Sequence, residues 1–337
     1  MRLKIVTELI FVVLITAGSA LAQSGPFSST EELDRYLDGL VKADKFAGTV
    51  LIAKKGQPIF RRAYGLASRE YGTPNRPDTK FNLGSICKTF TQIAIGQLID
   101  EGKLTMDDTI GMILPDYPNQ QARESVTVRQ LLSMTSGIGD IFNDKFRSIA
   151  KDRIRTIADY LPLFASDPLA FEPGTGYLYS NGGYVVLGAI IEKVSGLTYY
   201  DYVHEYIFKP IGMEQTGFYQ EDDLVPNRAS GYTQPGSTRG GGAATKATTQ
   251  AGELPLVNNI YQLPARGSSA GGGYSTIDDL LKYARAIDSG ELQIPNFATG
   301  QLPQSGSRTI MGGAPGVNAA LSLDVAGVYT VIVLANL

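Results

Sequence analysis

The hydrophobic pattern is β-like at both ends of this 337-residue chain and helical between them. Near the start, Gly48 to Ala53 and Pro58 to Tyr64 read as strands joined by the tight turn Lys54-Lys55-Gly56-Gln57. Near the end, Val317 to Leu323 and Val328 to Leu334 flank Asp324-Val325-Ala326-Gly327 in the same way. Ile86 to Ile99, Tyr184 to Val194 and Ile277 to Ile287 instead carry apolar residues at helical spacing. An isolated hairpin is marginal in water, so the two ends are expected to build one sheet around an inserted, mainly helical region of roughly residues 75–265, an α+β fold. Ser29 to Val41, opened by Ser29 or Thr30 with Glu31 and Glu32 in the first turn, reads as a capped helix whose leucines pack on that sheet.

Arg2 and Lys4 precede Leu9 to Ala17, an apolar stretch too short to span a bilayer, and Ala20-Leu21-Ala22 supplies a small-x-small cleavage site. Residues 1–22 are therefore expected to be an export signal, with 23–337 periplasmic or secreted; Glu8 beside the apolar run leaves an uncleaved anchor as the alternative. N-terminal sequencing of the secreted protein should begin at Gln23, and a chain still beginning at Met1 would overturn the expectation.

Lysine and arginine number 30 against 33 aspartate and glutamate, a formal net charge of −3, which leaves no basic footprint for nucleic acid. No later segment is long and apolar enough to span a membrane. Cys87 is the single cysteine, excluding an internal disulfide and any cysteine-based zinc cluster. His204, the single histidine, has no second imidazole with which to bind a metal and reads as structural. Neither a metal nor an organic cofactor is expected. Tyr232 to Glu253, with Gly240-Gly241-Gly242, reads as a surface loop or, alternatively, the border of a substrate cleft.

The single histidine also limits the hydrolytic chemistry available. Gly267-Ser268-Ser269-Ala270-Gly271 has the form of a nucleophile elbow, but that arrangement needs a histidine after the serine, and His204 precedes it. Ser-x-x-Lys needs none, because residues three apart on a helix share a face. It occurs at Ser85-Ile86-Cys87-Lys88 and at Ser148-Ile149-Ala150-Lys151. Ser85 opens an apolar helix, whose N-terminal N–H groups favour a developing anion, whereas Ser148 has charged neighbours and reads as solvated helix. Tyr179-Ser180-Asn181 adds a phenol and an amide that can donate and accept. A second Tyr-x-Asn, Tyr117-Pro118-Asn119, sits in a proline-punctuated turn and reads as coincidence.

With these boxes in this order, the chain resembles the β-lactamase-related serine hydrolases: class C β-lactamases, D,D-carboxypeptidases, D-aminopeptidases and related esterases. Phe81 to Thr89, Leu131 to Gly137, Pro173 to Tyr184 and Ala270 to Ser275 carry the likeness. The resemblance implies a β-lactamase/transpeptidase-like fold, an antiparallel sheet flanked by terminal helices with the active site against a helical subdomain. It implies Ser85 as acylated nucleophile, Lys88 as its proton partner, Tyr179 as general base and Asn181 as a substrate-positioning side chain. The Ser85 N–H would form half of an oxyanion hole, with the strand around Gly312 and Gly313 forming the other half. The substrate would be a small ester, amide, β-lactam or peptide.

The sequence departs from this pattern where relatives carry Lys-Thr-Gly or His-x-Gly, since Thr309-Ile310-Met311-Gly312 has no cation at its start. Residues 290–308 are short where relatives carry another strand, and after Ala335-Asn336-Leu337 the family's final helix is expected to be missing. Arg308 would share a strand face with Ile310 and offset the lost charge only in part. Two functions remain: an esterase-leaning hydrolase, or a penicillin-binding-like protein that acylates but has lost turnover.

Overall fold

Ser29 caps the first helix, α1 (Thr30–Lys42), by accepting the Glu32 N–H at 3.3 Å, and Glu31 and Glu32 sit where the helix dipole favours negative charge. Its buried face is Leu33, Leu37 and Leu40. The chain then forms the hairpin β1 (Gly48–Lys54) and β2 (Gln57–Tyr64). Both residues of its turn are left-handed, Lys55 at φ 49° and Gly56 at φ 71°, matching the right-handed twist of the flanking strands. In this computed structural model residues 29–235, 255–295, 308–325 and 328–337 are described; the expected export signal and most of the glycine-rich stretch lie outside them.

The far end of the chain supplies β3 (Arg308–Ala314), β4 (Val317–Val325) and β5 (Tyr329–Ala335). The five strands form one antiparallel sheet in the order β2-β1-β5-β4-β3, so the two chain ends meet along β1 and β5, with Gly48 opposite Ala335 and Lys54 opposite Tyr329. All seven residues of β5 are buried, because both sheet faces are covered. Val50, Ile52, Val331 and Val333 pack with the leucines of α1, while Leu51, Ala53, Ile332 and Leu334 join the larger core beneath the helices. Each leucine so buried contributes about 1.5–3 kcal/mol, which is why the alternation pins the register.

Between the two halves of the sheet, in chain order, lies most of the helical part of the structure. A 3₁₀ turn, Gly84–Cys87, runs directly into α2 (Lys88–Asp100), which is buried on nearly every side and packs on α3 (Asn181–Ser195). Later, α4 (Ile277–Ser289) packs on β5 and β1. No helix among the described residues is long and apolar enough to cross a membrane.

Candidate active site

Ser85 sits at the start of the turn that feeds α2, and three neighbouring segments hold it there. The short strand Phe81–Asn82 pairs with Tyr274–Ser275, Leu83 N–H donates to the Gly273 carbonyl at 2.7 Å, and Asn82 Oδ1 accepts the Gly84 N–H at 2.9 Å. From the other side comes the edge strand β3. A Cβ on Gly312 would lie 1.9 Å from the Leu83 carbonyl oxygen and 2.8 Å from the Ser85 nitrogen, so only glycine lets this strand come so close to Ser85. Gly84 is glycine for the same reason, since a Cβ there would lie 2.7 Å from the Gly313 nitrogen.

Two other side chains converge on the Ser85 hydroxyl. The Tyr179 hydroxyl donates to its Oγ at 2.8 Å, and the Lys88 ammonium donates to the same oxygen at 3.3 Å. Lys88 is 5% exposed, and its remaining donors go to Asn181 Oδ1 at 2.7 Å and the Ala270 carbonyl at 2.5 Å. Its Nζ also stands 4.9 Å from the centre of the Tyr179 ring and 5.4 Å from that of Tyr184. All three ammonium protons therefore have acceptors, which is what a buried cation requires.

Tyr179 and Asn181 flank Ser180, the N-cap of α3, whose Oγ accepts the Gly183 N–H at 2.8 Å and donates to the Gly139 carbonyl at 3.0 Å. Asn181 Nδ2 in turn donates to both Asp140 oxygens, at 2.9 and 3.2 Å. Both ends of the Asn181 amide are thus held by protein groups. Asp140 and the Ala270 carbonyl went unread in the sequence: Asp140 lies 41 residues before Asn181 in no recognisable motif, and a main-chain carbonyl leaves no side-chain signal.

The remaining candidates fall outside this convergence. Ser269 is fully buried against Gly188 of α3, so the elbow-like segment serves the site through its backbone. Ser148 is exposed and bonds the Lys145 carbonyl. Lys151, the lysine of this second Ser-x-x-Lys copy, lines the cleft, with its ammonium donating to the Phe146 and Ile149 carbonyls at 2.5 and 2.7 Å. Tyr117 is buried and Asn119 caps the helix Gln120–Ser125. His204 is exposed beside Glu205, and no cluster of metal-ligating side chains occurs among the described residues. Cys87, two residues from Ser85, is fully buried, and burial pushes its thiol up to about 12, so it does not offer a thiolate to the cleft.

Ser85, Tyr179 and Asn181 open onto a cleft of about 830 Å³. Phe142, Phe146, Tyr160, Tyr219 and Tyr261 contribute to its walls, and Met311 lines it from β3. Ile310, where the family's cation was sought, pairs with Leu321 and packs against the core instead, while Arg308 is exposed at the far end of the strand.

Comparison with known proteins follows the same lines. The Beta-lactamase family model matches residues 33–320. The putative penicillin-binding protein PbpX of Bacillus subtilis (strain 168) is 29% identical over 321 residues, covering 91% of this chain and 75% of that protein. Esterase EstB of Burkholderia gladioli is 30% identical over 286 residues, covering 77% of this chain and 70% of its own. Among solved structures, a penicillin-binding protein from Bacillus halodurans superposes with a TM-score of 0.75 at 30% identity, covering 89% of this chain and 94% of that one.

Proposed function

The chain belongs to the Beta-lactamase family and is a serine hydrolase of that fold, and from this premise we propose that it cleaves neutral carboxylic esters through an acyl-enzyme on Ser85. The observation that carries the reading is the convergence of the Tyr179 hydroxyl and the Lys88 ammonium on one serine oxygen, at 2.8 and 3.3 Å. In the reacting form the Lys88–Tyr179 pair lacks one of its protons, as free amine or phenolate, and Ser85 Oγ attacks the ester carbonyl while its own proton passes to that vacant site on the pair. The negative oxygen of the tetrahedral intermediate forms beside the Ser85 N–H and the edge of β3 at Gly312–Gly313, where main-chain donors need no reorganisation. Collapse expels the alcohol, which takes the proton from the pair. Water, activated by the same pair, then releases the acid and restores Ser85.

The preference for neutral esters follows from the cleft wall. Relatives that hold a substrate carboxylate use a cation on the strand beside the serine, and here Ile310 is turned into the core and Met311 faces the cleft. Lys151 and Arg147 do line the cleft, but Lys151 is engaged by two carbonyls and Arg147 pairs with Asp144. A lost charge-assisted hydrogen bond amounts to about 1.5–3 kcal/mol, or about tenfold or more in kcat/KM. The aromatic wall suits an uncharged, apolar substrate portion instead.

Purified protein should therefore turn over p-nitrophenyl butyrate with a kcat/KM about tenfold or more above that for a penicillin or a peptide ending in D-Ala-D-Ala. A preference for the carboxylate substrates would overturn the ester reading. Stoichiometric acylation without turnover would favour the second reading, a penicillin-binding-like protein, which the missing strand cation supports.

A further inference from the structure

Asn181 stands between two groups of opposite hydrogen-bonding character. On one side is Lys88, whose ammonium only donates; on the other is the carboxylate of Asp140, which only accepts. An asparagine amide has nearly the same shape either way round, so its neighbours decide which end faces where. With Asp140 taking Nδ2 at 2.9 and 3.2 Å, Oδ1 must face Lys88, where it accepts at 2.7 Å. Asp140 is itself held in place. Its Oδ1 accepts the Phe142 N–H at 2.9 Å, and the preceding Gly139 carbonyl accepts from Ser180, the cap of α3.

We propose that Asp140 is a positioning residue for the hydrolytic reaction: it locks the Asn181 amide as an acceptor toward Lys88 and so holds the ammonium against Ser85. Asn181 accordingly acts on Lys88 more than on the substrate. Its side chain is 8% exposed and both of its polar ends are engaged by protein. The kinetic part of this inference rests on the ester hydrolase reading, whereas the orientation of the amide does not.

Asp140→Asn is the informative variant because it is nearly isosteric. Its new Oδ1 can still accept the Phe142 N–H, which leaves an amide NH₂ facing the Nδ2 of Asn181. The 2.9 Å bond is thereby replaced by two opposed donors and only the 3.2 Å bond to Oδ1 remains, so the Asn181 amide is no longer locked and its Oδ1 shifts off the Lys88 ammonium. With p-nitrophenyl butyrate the expected result is a kcat lower by about 10- to 100-fold with KM within about twofold, part of the usual contribution of a proton-transfer group. Asp140→Glu keeps an acceptor-only group and should recover part of the loss. Combined with Asn181→Ala, Asp140→Asn should add less than about threefold to the loss that Asn181→Ala causes alone, because both act on one contact. The second measurement needs no activity. The side-chain NH₂ of Asn181, identified in ¹⁵N NMR spectra by its disappearance in Asn181→Ala, should be protected from solvent exchange in the wild type and lose that protection in Asp140→Asn.

Full kcat in Asp140→Asn, a loss confined to KM, multiplicative losses with Asn181→Ala, or unchanged exchange protection would each overturn the proposal. Absence of wild-type turnover on every ester would instead remove the hydrolase reading, and the exchange measurement would still decide the orientation of Asn181.

Discussion

Ser85→Ala is expected to abolish covalent labelling by a fluorophosphonate probe, while Ser148→Ala and Ser269→Ala leave it at the wild-type level. Intact-mass spectrometry reads all three. Of these three serines only Ser85 combines a hydroxyl open to the cleft with a tyrosine and a lysine on its oxygen and a glycine-lined strand beside its N–H. Ser148 is solvated and bonds a carbonyl of its own helix, and Ser269 is 0% exposed, beyond the reach of any probe. The expected effect is as large as the assay can register, because without the oxygen no bond to the probe forms. A mass adduct that survives Ser85→Ala would end the acyl-enzyme reading.

Removal of either partner of that oxygen should come next in size. Lys88→Ala and Tyr179→Phe are each expected to slow acylation by about 10² to 10⁴, the range found for a positioned acid–base group. Together they should cost far less than the product of the two, since both serve one proton and the second loss finds the transfer already impaired. Single-turnover acylation rates for the four combinations give the coupling directly. Independent, multiplicative losses would show that the two side chains do separate work. Lys88→Ala carries a further consequence, since it leaves Asn181 Oδ1 without its 2.7 Å donor and the Ala270 carbonyl without its 2.5 Å one. Tyr179→Phe removes a single hydroxyl from a half-buried ring and is the cleaner of the two tests.

What could be read from the sequence was whatever depends on short spacing. Ser85 and Lys88 share a face because they are three residues apart on a helical turn, and that holds wherever the turn is placed. The Lys55-Gly56 turn, the Ser29 cap and the alternating burial of β1 and β5 follow equally from local backbone geometry and period. The separation of strand signals at the two chain ends was enough to imply a shared sheet. The register that sets Gly48 opposite Ala335 emerged only with the packed faces.

Contacts across long stretches of chain were decided by the tertiary structure. Tyr179 meets Ser85 across 94 residues and the Ala270 carbonyl meets Lys88 across 182, distances fixed by how α3 and the segment around Gly271 pack on α2. Asp140 had no motif to announce it and acquires its part only because the Ser180 cap draws the Gly139 carbonyl to the start of α3. The second Ser-x-x-Lys copy shows the converse, since nothing in its spacing announced that the Phe146 and Ile149 carbonyls would hold Lys151 in a cleft wall. Spacing determines which side chains share a turn; only the burial of whole elements against one another determines which turns share a site.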